Sequence, residues 1–271
     1  MQALGNDFVL LDDLAGNGLA PTPALLARLA DRHFGVGCDQ ILLIAPPLSE
    51  TADIHYRIFN ADGGEVGQCG NGVRCVARYC HDHHGLASSG LRIASSGGLA
   101  RVWVRDDGQV RVDMGEPRLT PADVPFLTAT PAAAMQSLQI DNEGVEFGVC
   151  SMGNPHAVLR VMSVANAPVA RLGPLIEVHP AFPERTNVGF VEIVSPSELR
   201  LRVWERGVGE TLACGTGACA AMAVLRARDE LAEAVTIHLP GGTLEITWAG
   251  PGQPLFMTGP AEYVFQGQIA I

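Results

Sequence analysis

Two cysteines stand in matching glycine-rich segments whose residue types could perform acid–base chemistry. Cys69 lies in C-G-N-G and Cys214 in C-G-T-G, and each segment precedes a helix-like run, over residues 73–79 and 218–227. A cysteine at a helix start faces unpaired N–H groups and the positive end of the helix dipole, which favour the thiolate. The same N–H groups can bind a carboxylate. One thiolate could therefore remove the proton from a carbon beside that carboxylate while the second thiol supplies a new one.

The two segments belong to an internal repeat. Residues 56–72 and 201–217 align without a gap at an offset of 214 − 69 = 145. The identical pairs are Arg57/Arg202, Gly64/Gly209, Glu65/Glu210, Cys69/Cys214, Gly70/Gly215 and Gly72/Gly217. Chance similarity between glycine-rich loops is the alternative, but this number of identities in one register favours a duplication. A pseudo-twofold axis would then bring Cys69 and Cys214 to opposite sides of one cleft, whereas buried structural thiols are the alternative.

Length, composition and charge narrow the class of protein. The 271 residues are enough for two domains, and 47% hydrophobic with 17% charged residues is typical of a folded globular chain. A net charge of −11 argues against a nucleic-acid partner, which requires a clustered basic face. Without an apolar run of membrane-spanning length or a secretory signal pattern, we expect no membrane contact and a cytoplasmic location.

The basic residues and the cysteines limit the cofactors. All 18 basic residues are arginines, so an enzyme that holds pyridoxal phosphate as a lysine Schiff base is excluded, and no cofactor is expected. The odd number of cysteines, seven, fits a reducing compartment. Cys75, Cys80, His81, His83 and His84 superficially resemble a zinc site. Their spacing matches no pair-plus-pair ligand pattern, so we expect an exposed polar helix end without metal, and a zinc-binding interaction module is the alternative.

The periodicity of the sequence predicts an α+β fold of two pseudo-symmetric domains. Each domain should be a mixed or antiparallel sheet, or a barrel, packed on a central helix that starts at the C-G-x-G cysteine. Pro23 predicts another helix over residues 24–32. Predicted strands cover residues 9–12, 40–45, 99–104, 109–114, 157–161, 188–194, 235–239, 243–248 and 255–258. The predicted domains are residues 1–116 with Cys69, to which residues 260–271 return as a strand, and residues 117–259 with Cys214.

Eight short segments, taken in order, carry a resemblance to a known family. They are GNDF at 5–8, GCDQ at 37–40, FNADG at 59–63, CGNG at 69–72, GNPH at 153–156, ERTN at 184–187, ERGVGET at 205–211 and ACGTGACA at 213–220. With them the chain resembles the bacterial diaminopimelate epimerase family over nearly its whole length. The resemblance implies an isomerase that converts LL-2,6-diaminopimelate to meso-diaminopimelate for lysine and peptidoglycan precursors. It also implies a homodimer with Phe265 near its interface.

The resemblance further implies the roles of individual residues. Cys214 would be the base and Cys69 the acid from LL to meso, with the roles exchanged in reverse. His156 and Glu205 resemble the residues that tune the two thiols, although His156 could instead be a structural histidine. The implied substrate-binding residues are Asn6, Gln40, Asn60, Gly70, Asn71, Asn154, Asn187, Glu205, Arg206, Gly215 and Thr216. Arg206 can hold a distal carboxylate with two N–H groups, and asparagine amides can satisfy either charge type, although each could be a turn residue.

Two rival functions and one departure from the family accompany this interpretation. Proline or hydroxyproline racemases of the same fold also use paired cysteines, but a cyclic substrate offers no second charged end for Arg206. A small-molecule binding protein without catalysis is the other rival. Relatives have several residues, including a lysine, before GNDF, whereas residues 1–4 alone precede it here. A shortened first strand beside Asn6, or a start codon assigned too late, is therefore expected.

Overall fold

A computed structural model describes residues 1–67, 70–86 and 90–269 and divides the chain into two compact units. The first unit comprises Met1–Asp113 and the chain from Thr258 onward, and the second comprises Met114–Met257. Cys69 lies outside the described residues. No helix within the described ranges combines the length and the apolar character that a membrane crossing requires.

The first unit is a mixed sheet with two helices in its described part. Its elements are β1 (Gln2–Ala3), β2 (Asn6–Asp12), α1 (Pro23–Ala30), β3 (Gln40–Ala45), β4 (Ile54–Asn60), β5 (Glu65–Val66), α2 (Gly70–His84), β6 (Leu91–Ser95), β7 (Gly98–Val104) and β8 (Val110–Asp113). Strand β3 pairs parallel with β2 and antiparallel with β4. Two strands pair with the other edge of β4: β6 with the first residues of β4 and β5 with the last. Strands β6, β7 and β8 continue antiparallel.

The second unit repeats this pattern. After a short 3-10 helix (Pro121–Asp123), its elements are β9 (Gln136–Ile140), β10 (Glu143–Ser151), β11 (Pro155–Arg160), α3 (Val169–Glu177), β12 (Asn187–Ser195), β13 (Glu198–Glu205), β14 (Gly209–Thr211), α4 (Gly215–Arg226), β15 (Ala234–Leu239) and β16 (Gly242–Trp248). Strand β17 (Leu255–Gly259) begins in this unit, and its last two residues belong to the first. Strand β12 pairs parallel with β11 and antiparallel with β13. The far edge of β13 is again shared, by β15 at its start and β14 at its end.

The strand registers extend the internal repeat beyond the aligned segments. Phe8 pairs with Gln40 between β2 and β3, and His156 pairs with Asn187 between β11 and β12. The segments GNDF and GNPH therefore begin equivalent strands, so Asn6 corresponds to Asn154. Two units with one strand order and one register are what a duplication predicts, which confirms the predicted pseudo-symmetric α+β fold.

In each unit one helix packs inside the curved sheet and another covers its outer face. The inner helices are α2, which contacts β1, β2, β3, β6, β7 and β8, and α4, which contacts β10, β11, β12 and β16. Helix α4 is almost wholly buried, which its many small residues permit. The outer helix α1 begins where the Thr22 hydroxyl accepts a hydrogen bond from the N–H of Leu25 (3.2 Å). It buries Leu26 and Leu29 against Ile41 in the first unit, and α3 packs in the same way in the second.

The nine strands predicted before residue 260 and the three predicted helices are confirmed within a few residues. Residues 260–269, which were predicted as part of a strand, instead form one isolated bridge, between Gln2 and Glu262. The elements that were not predicted are β1, β5, β6, β9, β10, β14 and α3. Helix α1 ends earlier than predicted because the Asp31 carboxylate accepts the N–H groups of His33 and Phe34. Helix α3 escaped prediction because it contains Gly173 and Pro174, which disfavour helices. A Cβ on Gly173 would lie 2.6 Å from Cγ of Trp204, so glycine there permits close packing of α3 on β13.

Candidate active site

Cys214 occupies the N-cap position of α4, directly after the short strand β14. The residue is 4% exposed. Its sulfur lies 3.6 Å from the Thr216 hydroxyl oxygen, accepts the N–H of Gly217 and interacts with the Glu205 carboxylate. Burial raises the pKa of the Cys214 thiol well above its usual range, and the negative charge and hydrogen bond of Glu205 raise it further. The hydroxyl of Thr216 and the N–H of Gly217 oppose this rise.

This balance corrects the expectation that a helix start makes Cys214 a thiolate. The contribution of the helix start has the predicted direction, because the N–H of Gly217 lowers the pKa. Loss of hydration is the larger effect, since burial disfavours the charged form of a thiol. Burial therefore favours the neutral thiol form of Cys214. To act as a base, such a thiol must first pass its proton to an acceptor.

A chain of hydrogen bonds runs through Cys214 and defines what we call the second half-site: His156, Asn154, Thr216, Cys214 and Glu205. His156 Nε2 lies 3.0 Å from Asn154 Oδ1, and Asn154 Nδ2 donates to Thr216 Oγ1 over 3.4 Å. Because Thr216 accepts from Asn154, its own proton can point to the Cys214 sulfur. The Glu205 carboxylate accepts the Thr211 hydroxyl at 2.5 Å. The chain thus presents a donor on one side of the thiol and an acceptor on the other.

His156 is the buried end of this chain. It is 1% exposed, and burial lowers the pKa of His156 to about 3, with the positive charge of Arg206 acting in the same direction. Since an amide oxygen only accepts, Nε2 carries the imidazole proton. A neutral histidine with so low a pKa is a weak proton acceptor at neutral pH. Of the two residues predicted to tune the thiols, Glu205 is the one whose carboxylate is hydrogen-bonded to the Cys214 thiol.

Arg206 and Asn187 meet at the turn that follows β13. The buried Asn187 amide donates to the Pro155 carbonyl oxygen (2.9 Å) and accepts the backbone N–H of Arg206 (2.9 Å). It therefore braces the turn, which is a structural role beside its predicted contact with substrate. The Arg206 side chain is exposed and donates to the Glu184 carbonyl oxygen (3.0 Å). Its guanidinium has five N–H groups, so it can still bind a carboxylate.

The first unit holds the remaining predicted residues, which we call the first half-site: Asn6, Gln40, Asn60, Gly70 and Asn71. Gln40 Nε2 donates to Asn60 Oδ1 (2.9 Å) across the β3–β4 pair. Asn71 Nδ2 donates to Asn6 Oδ1 (3.4 Å), and the fully buried Arg74 donates to Asn71 Oδ1 (3.2 Å). Gly70 begins α2 as Gly215 begins α4. Cys69, which precedes Gly70, is outside the described part of the chain.

The structure also places residues around Asn6 that the sequence analysis did not select. Asp39 Oδ2 accepts from Asn6 Nδ2 (3.0 Å), and Arg32 Nη2 donates to Asp39 Oδ1 (2.8 Å). Arg32 also makes two 2.8 Å hydrogen bonds to Asp7 and so lowers the pKa of that carboxyl. Asp7 and Asp39 lie within the segments GNDF and GCDQ, so the sequence did point to this region. It could not show that Arg32 links the two carboxylates, because Arg32 lies outside both segments.

The other described cysteines are buried thiols away from the chain of hydrogen bonds around Cys214. Cys38, Cys75, Cys80, Cys150 and Cys219 are buried and none is half of a disulfide among the described residues. Burial raises the pKa of both Cys80 and Cys150 to about 12. Such thiols are structural and unreactive.

The histidines at the end of α2 make other contacts. His83 stacks on Tyr79 with ring centroids 4.4 Å apart, and His84 Nε2 lies 2.8 Å from Asp12. Within residues 1–67, 70–86 and 90–269, no three histidine, cysteine or acidic side chains are arranged to hold a metal ion.

The duplicated α+β fold places the chain in a fold class that includes solved racemases, epimerases and phenazine biosynthesis proteins. The chain is similar to a probable proline racemase from Agrobacterium radiobacter K84, with a TM-score of 0.69, 18% identity and coverage of 100% of this chain and 91% of that one. At that identity the similarity establishes the fold alone.

Sequence comparison identifies the family within this class. The diaminopimelate epimerase family profile matches residues 1–120 and 148–264. The chain is 55% identical over 272 residues to diaminopimelate epimerase of Halorhodospira halophila (strain DSM 244 / SL1), covering 100% of this chain and 94% of that protein. It is 52% identical over 271 residues to that of Stutzerimonas stutzeri (strain A1501), covering 100% and 98%. The chain therefore belongs to the diaminopimelate epimerase family and is an enzyme of the isomerase class.

Proposed function

We propose that the protein interconverts LL-2,6-diaminopimelate and meso-diaminopimelate without a cofactor, by proton transfer between the substrate Cα and two thiols, Cys214 and Cys69. Membership of the diaminopimelate epimerase family supports the substrate and the reaction. The observation that carries the mechanism is the position of the Cys214 thiol between the acceptor Glu205 and the donor Thr216.

The first step makes Cys214 a base. Its S–H proton moves to the Glu205 carboxylate, and the remaining thiolate accepts hydrogen bonds from the Thr216 hydroxyl and the Gly217 N–H. The thiolate then takes the Cα proton, and the electron pair of the broken C–H bond spreads into the substrate carboxylate. Cys69 gives its thiol proton to the opposite face of Cα and becomes a thiolate. Exchange with solvent restores the starting protonation, and the reverse reaction exchanges the two roles.

Backbone N–H groups at two helix starts suit the carboxylate beside the reacting carbon. Gly70 and Asn71 begin α2, and Gly215 and Thr216 begin α4. The first N–H groups of a helix lack partners within it and face an anion with the positive end of the dipole. Negative charge that develops on the carboxylate during proton removal is stabilised by the same groups. The pairing of Cys69 with Cys214 rests on the sequence repeat and on the family resemblance.

The distal end of diaminopimelate carries a second amino group and a second carboxylate. The exposed Arg206 guanidinium suits that carboxylate because its planar N–H groups match two oxygens. The amides of Asn6, Gln40, Asn60, Asn154 and Asn187, together with the Glu205 carboxylate, supply donors and acceptors for the remaining polar groups. A cyclic amino acid such as proline has no second charged end, which disfavours a proline racemase activity.

Family membership also supports the setting in which the enzyme acts. We place it in the cytoplasm, in the formation of lysine and peptidoglycan precursors, as a homodimer. Phe265 and Val264 on the C-terminal segment are more than half exposed, which fits the proposed interface near Phe265.

Proton NMR of LL-diaminopimelate in heavy water with reductant tests the proposal. A thiol holds one hydrogen, so the base cysteine keeps the substrate proton while the opposite cysteine, equilibrated with solvent, delivers deuterium. Deuterium should therefore enter the meso product first, and the remaining LL substrate should keep hydrogen at Cα early in the reaction. L-Proline is the control substrate and should not exchange. Faster exchange into LL substrate than into product would contradict the two-thiol mechanism, and the absence of any turnover would contradict the proposed substrate.

A further inference from the structure

We propose that Glu177, at the end of α3, is the positioning residue that holds Glu205 and Arg206 in their working places, an inference that rests on the proposed function. Glu177 is 6% exposed although it is an acid. Its Oε2 accepts the indole N–H of Trp204 (2.7 Å), and its Oε1 accepts the backbone N–H of Gly207 (2.8 Å). Arg185 Nη1 lies 3.7 Å from Oε1.

The two hydrogen bonds of Glu177 lie on either side of Glu205 and Arg206 in the sequence. Trp204 immediately precedes Glu205, and Gly207 immediately follows Arg206. One carboxylate therefore accepts hydrogen bonds from both ends of the segment 204–207, which ends β13 and starts the following turn. Asn187 holds the same segment from another side through the backbone N–H of Arg206. Two backbone N–H groups, of Arg206 and Gly207, and the indole N–H of Trp204 are thus held, which leaves the segment little freedom to move Glu205 away from Cys214.

The chemistry of the contact requires a carboxylate. An ionised carboxylate offers acceptors on both oxygens, and bonds to it are stronger than those between neutral groups. A glutamine would turn an N–H donor toward Trp204 or Gly207, leaving a buried donor without an acceptor. Gly173 belongs to the same arrangement, since the closeness of α3 to Trp204 leaves no space for a Cβ there.

Among the described residues, no buried carboxylate holds the equivalent turn of the first unit, which argues that Glu177 serves the chemistry and not the fold. There the turn after β4 holds itself, because Asn60 N donates to Gly64 O (2.8 Å) and Gly64 N to Asp62 Oδ1 (2.8 Å). In the gapless alignment of the two repeats, Asn60 and Ala61 of this turn stand at the positions of Glu205 and Arg206. A buried carboxylate thus accompanies the turn that carries charged functional residues.

The test compares Glu177→Gln with the matched control Glu192→Gln. Glu192 also accepts a backbone N–H, from Val164 (2.9 Å), and an Arg200 N–H (3.1 Å). In Glu177→Gln we expect KM for LL-diaminopimelate to rise about fivefold or more, the effect of one lost charged hydrogen bond. Alkylation of Cys214, followed by mass spectrometry of its peptide, should reach its midpoint at lower pH because Glu205 has moved from the thiol. Glu192→Gln should match the wild type in both.

The alkylation profile does not depend on turnover, so it separates this inference from the proposed function. A wild type that does not epimerise diaminopimelate would refute the function, while the alkylation comparison would still decide the role of Glu177. A folded Glu177→Gln protein with a wild-type KM and alkylation profile would overturn the inference, as would equal changes in Glu192→Gln. If Glu177→Gln does not fold, Trp204→Phe removes one of the two donors. It should shift the alkylation midpoint in the same direction, and an unchanged midpoint would overturn the inference.

Discussion

The first and second half-sites share a strand framework but differ in the groups that can carry charge or protons. Equivalent positions, from the strand registers and the gapless repeat, are Asn6/Asn154, Phe8/His156, Gln40/Asn187, Asn60/Glu205, Ala61/Arg206 and Asn71/Thr216. At these positions the first unit contributes four neutral amides, on Asn6, Gln40, Asn60 and Asn71, and two apolar residues, Phe8 and Ala61. The second unit contributes a carboxylate, a guanidinium and a buried imidazole, which lie close to Cys214 along the chain or through the hydrogen bonds described above.

The features that are the same in both units are those that shape the backbone. Arg57 bonds Glu65 through two contacts of 3.0 and 2.8 Å, and Arg202 bonds Glu210 through two of 2.6 and 3.0 Å. Both pairs join the two strands that lead to the cysteine. Partly exposed ion pairs contribute little stability, so their repetition indicates a geometric role. A duplicated scaffold can therefore keep both helix starts while the side chains around them differ.

Removing either cysteine should have the largest effect and tests whether the two half-sites are both essential. We expect Cys69→Ala and Cys214→Ala each to lower kcat for inversion by a factor of at least about 10² to 10⁴, because one face of Cα loses its proton carrier. Chiral chromatography of the product measures this. Cys219→Ala, which alters a buried thiol next to the same helix start, is the control. Inversion by either active-site variant at near wild-type rate would show that the half-sites are not both used.

Glu205→Gln makes the second half-site resemble the first, where the equivalent residue is Asn60. We expect kcat to fall by roughly 10- to 100-fold because the acceptor of the Cys214 proton is lost. The pKa of Cys214 should nevertheless fall, since the neighbouring negative charge that raises it is removed. Alkylation at Cys214 would then be half complete at a lower pH while turnover is slower.

The matched control for this change is Glu210→Gln, which removes a carboxylate paired with Arg202 on the same hairpin. It should leave the alkylation midpoint of Cys214 unchanged. A Glu205→Gln enzyme with undiminished kcat would mean that Cys214 loses its proton by another route.

His156→Phe copies the residue of the first unit and should change the dependence of stability on pH. The pKa of His156 is about 3 when folded, against 6.5 for an ordinary histidine, so the unfolded chain binds the proton first as pH falls. The neutral histidine therefore contributes fully to the free energy of unfolding above pH 6.5, and this contribution is lost as the pH falls from 6.5 to about 3. From pH 6.5 to 5.5 the wild type should lose about 1 kcal/mol more unfolding free energy than the variant.

Urea unfolding at the two pH values measures this difference. His33→Asn replaces an exposed histidine and should behave as the wild type does. Equal pH dependence in wild type and His156→Phe would show that His156 is not held neutral in the folded protein.

Thr216→Val should give the smallest effect and tests the donor side of the Cys214 thiol. Loss of the hydroxyl raises the pKa of Cys214, because Thr216 opposes the rise caused by burial. One hydrogen bond of about 1 kcal/mol corresponds to roughly fivefold slower alkylation of Cys214 at a fixed pH. Thr216→Ser keeps the hydroxyl and should react at nearly the wild-type rate. Equal alkylation rates in Thr216→Val and Thr216→Ser would show that the Thr216 hydroxyl does not stabilise the Cys214 thiolate.

Much of the site was readable from the sequence because its signals are local. A cysteine followed by Gly-x-Gly at the start of a helical run needs only neighbouring residues to define it, and Cys214 lies at such a helix start in the structure. Strands such as β3, with its continuous apolar run, follow from composition in the same way. The segments GNDF and GNPH were found by resemblance, but the register that makes Asn6 and Asn154 equivalent required the strand pairing.

The duplicated frame, its two central helices and the residue types at their starts follow from the sequence alone, because hydrogen-bond capacity and periodicity are properties of short segments. The tertiary structure decided the rest. It joined Asn154 to Thr216 across 62 residues of chain and Glu177 to Gly207 across 30. It also raised the pKa of the Cys214 thiol, since the loss of hydration on burial outweighs the helix start. Burial depends on every element that packs around a residue, and no short segment contains that information.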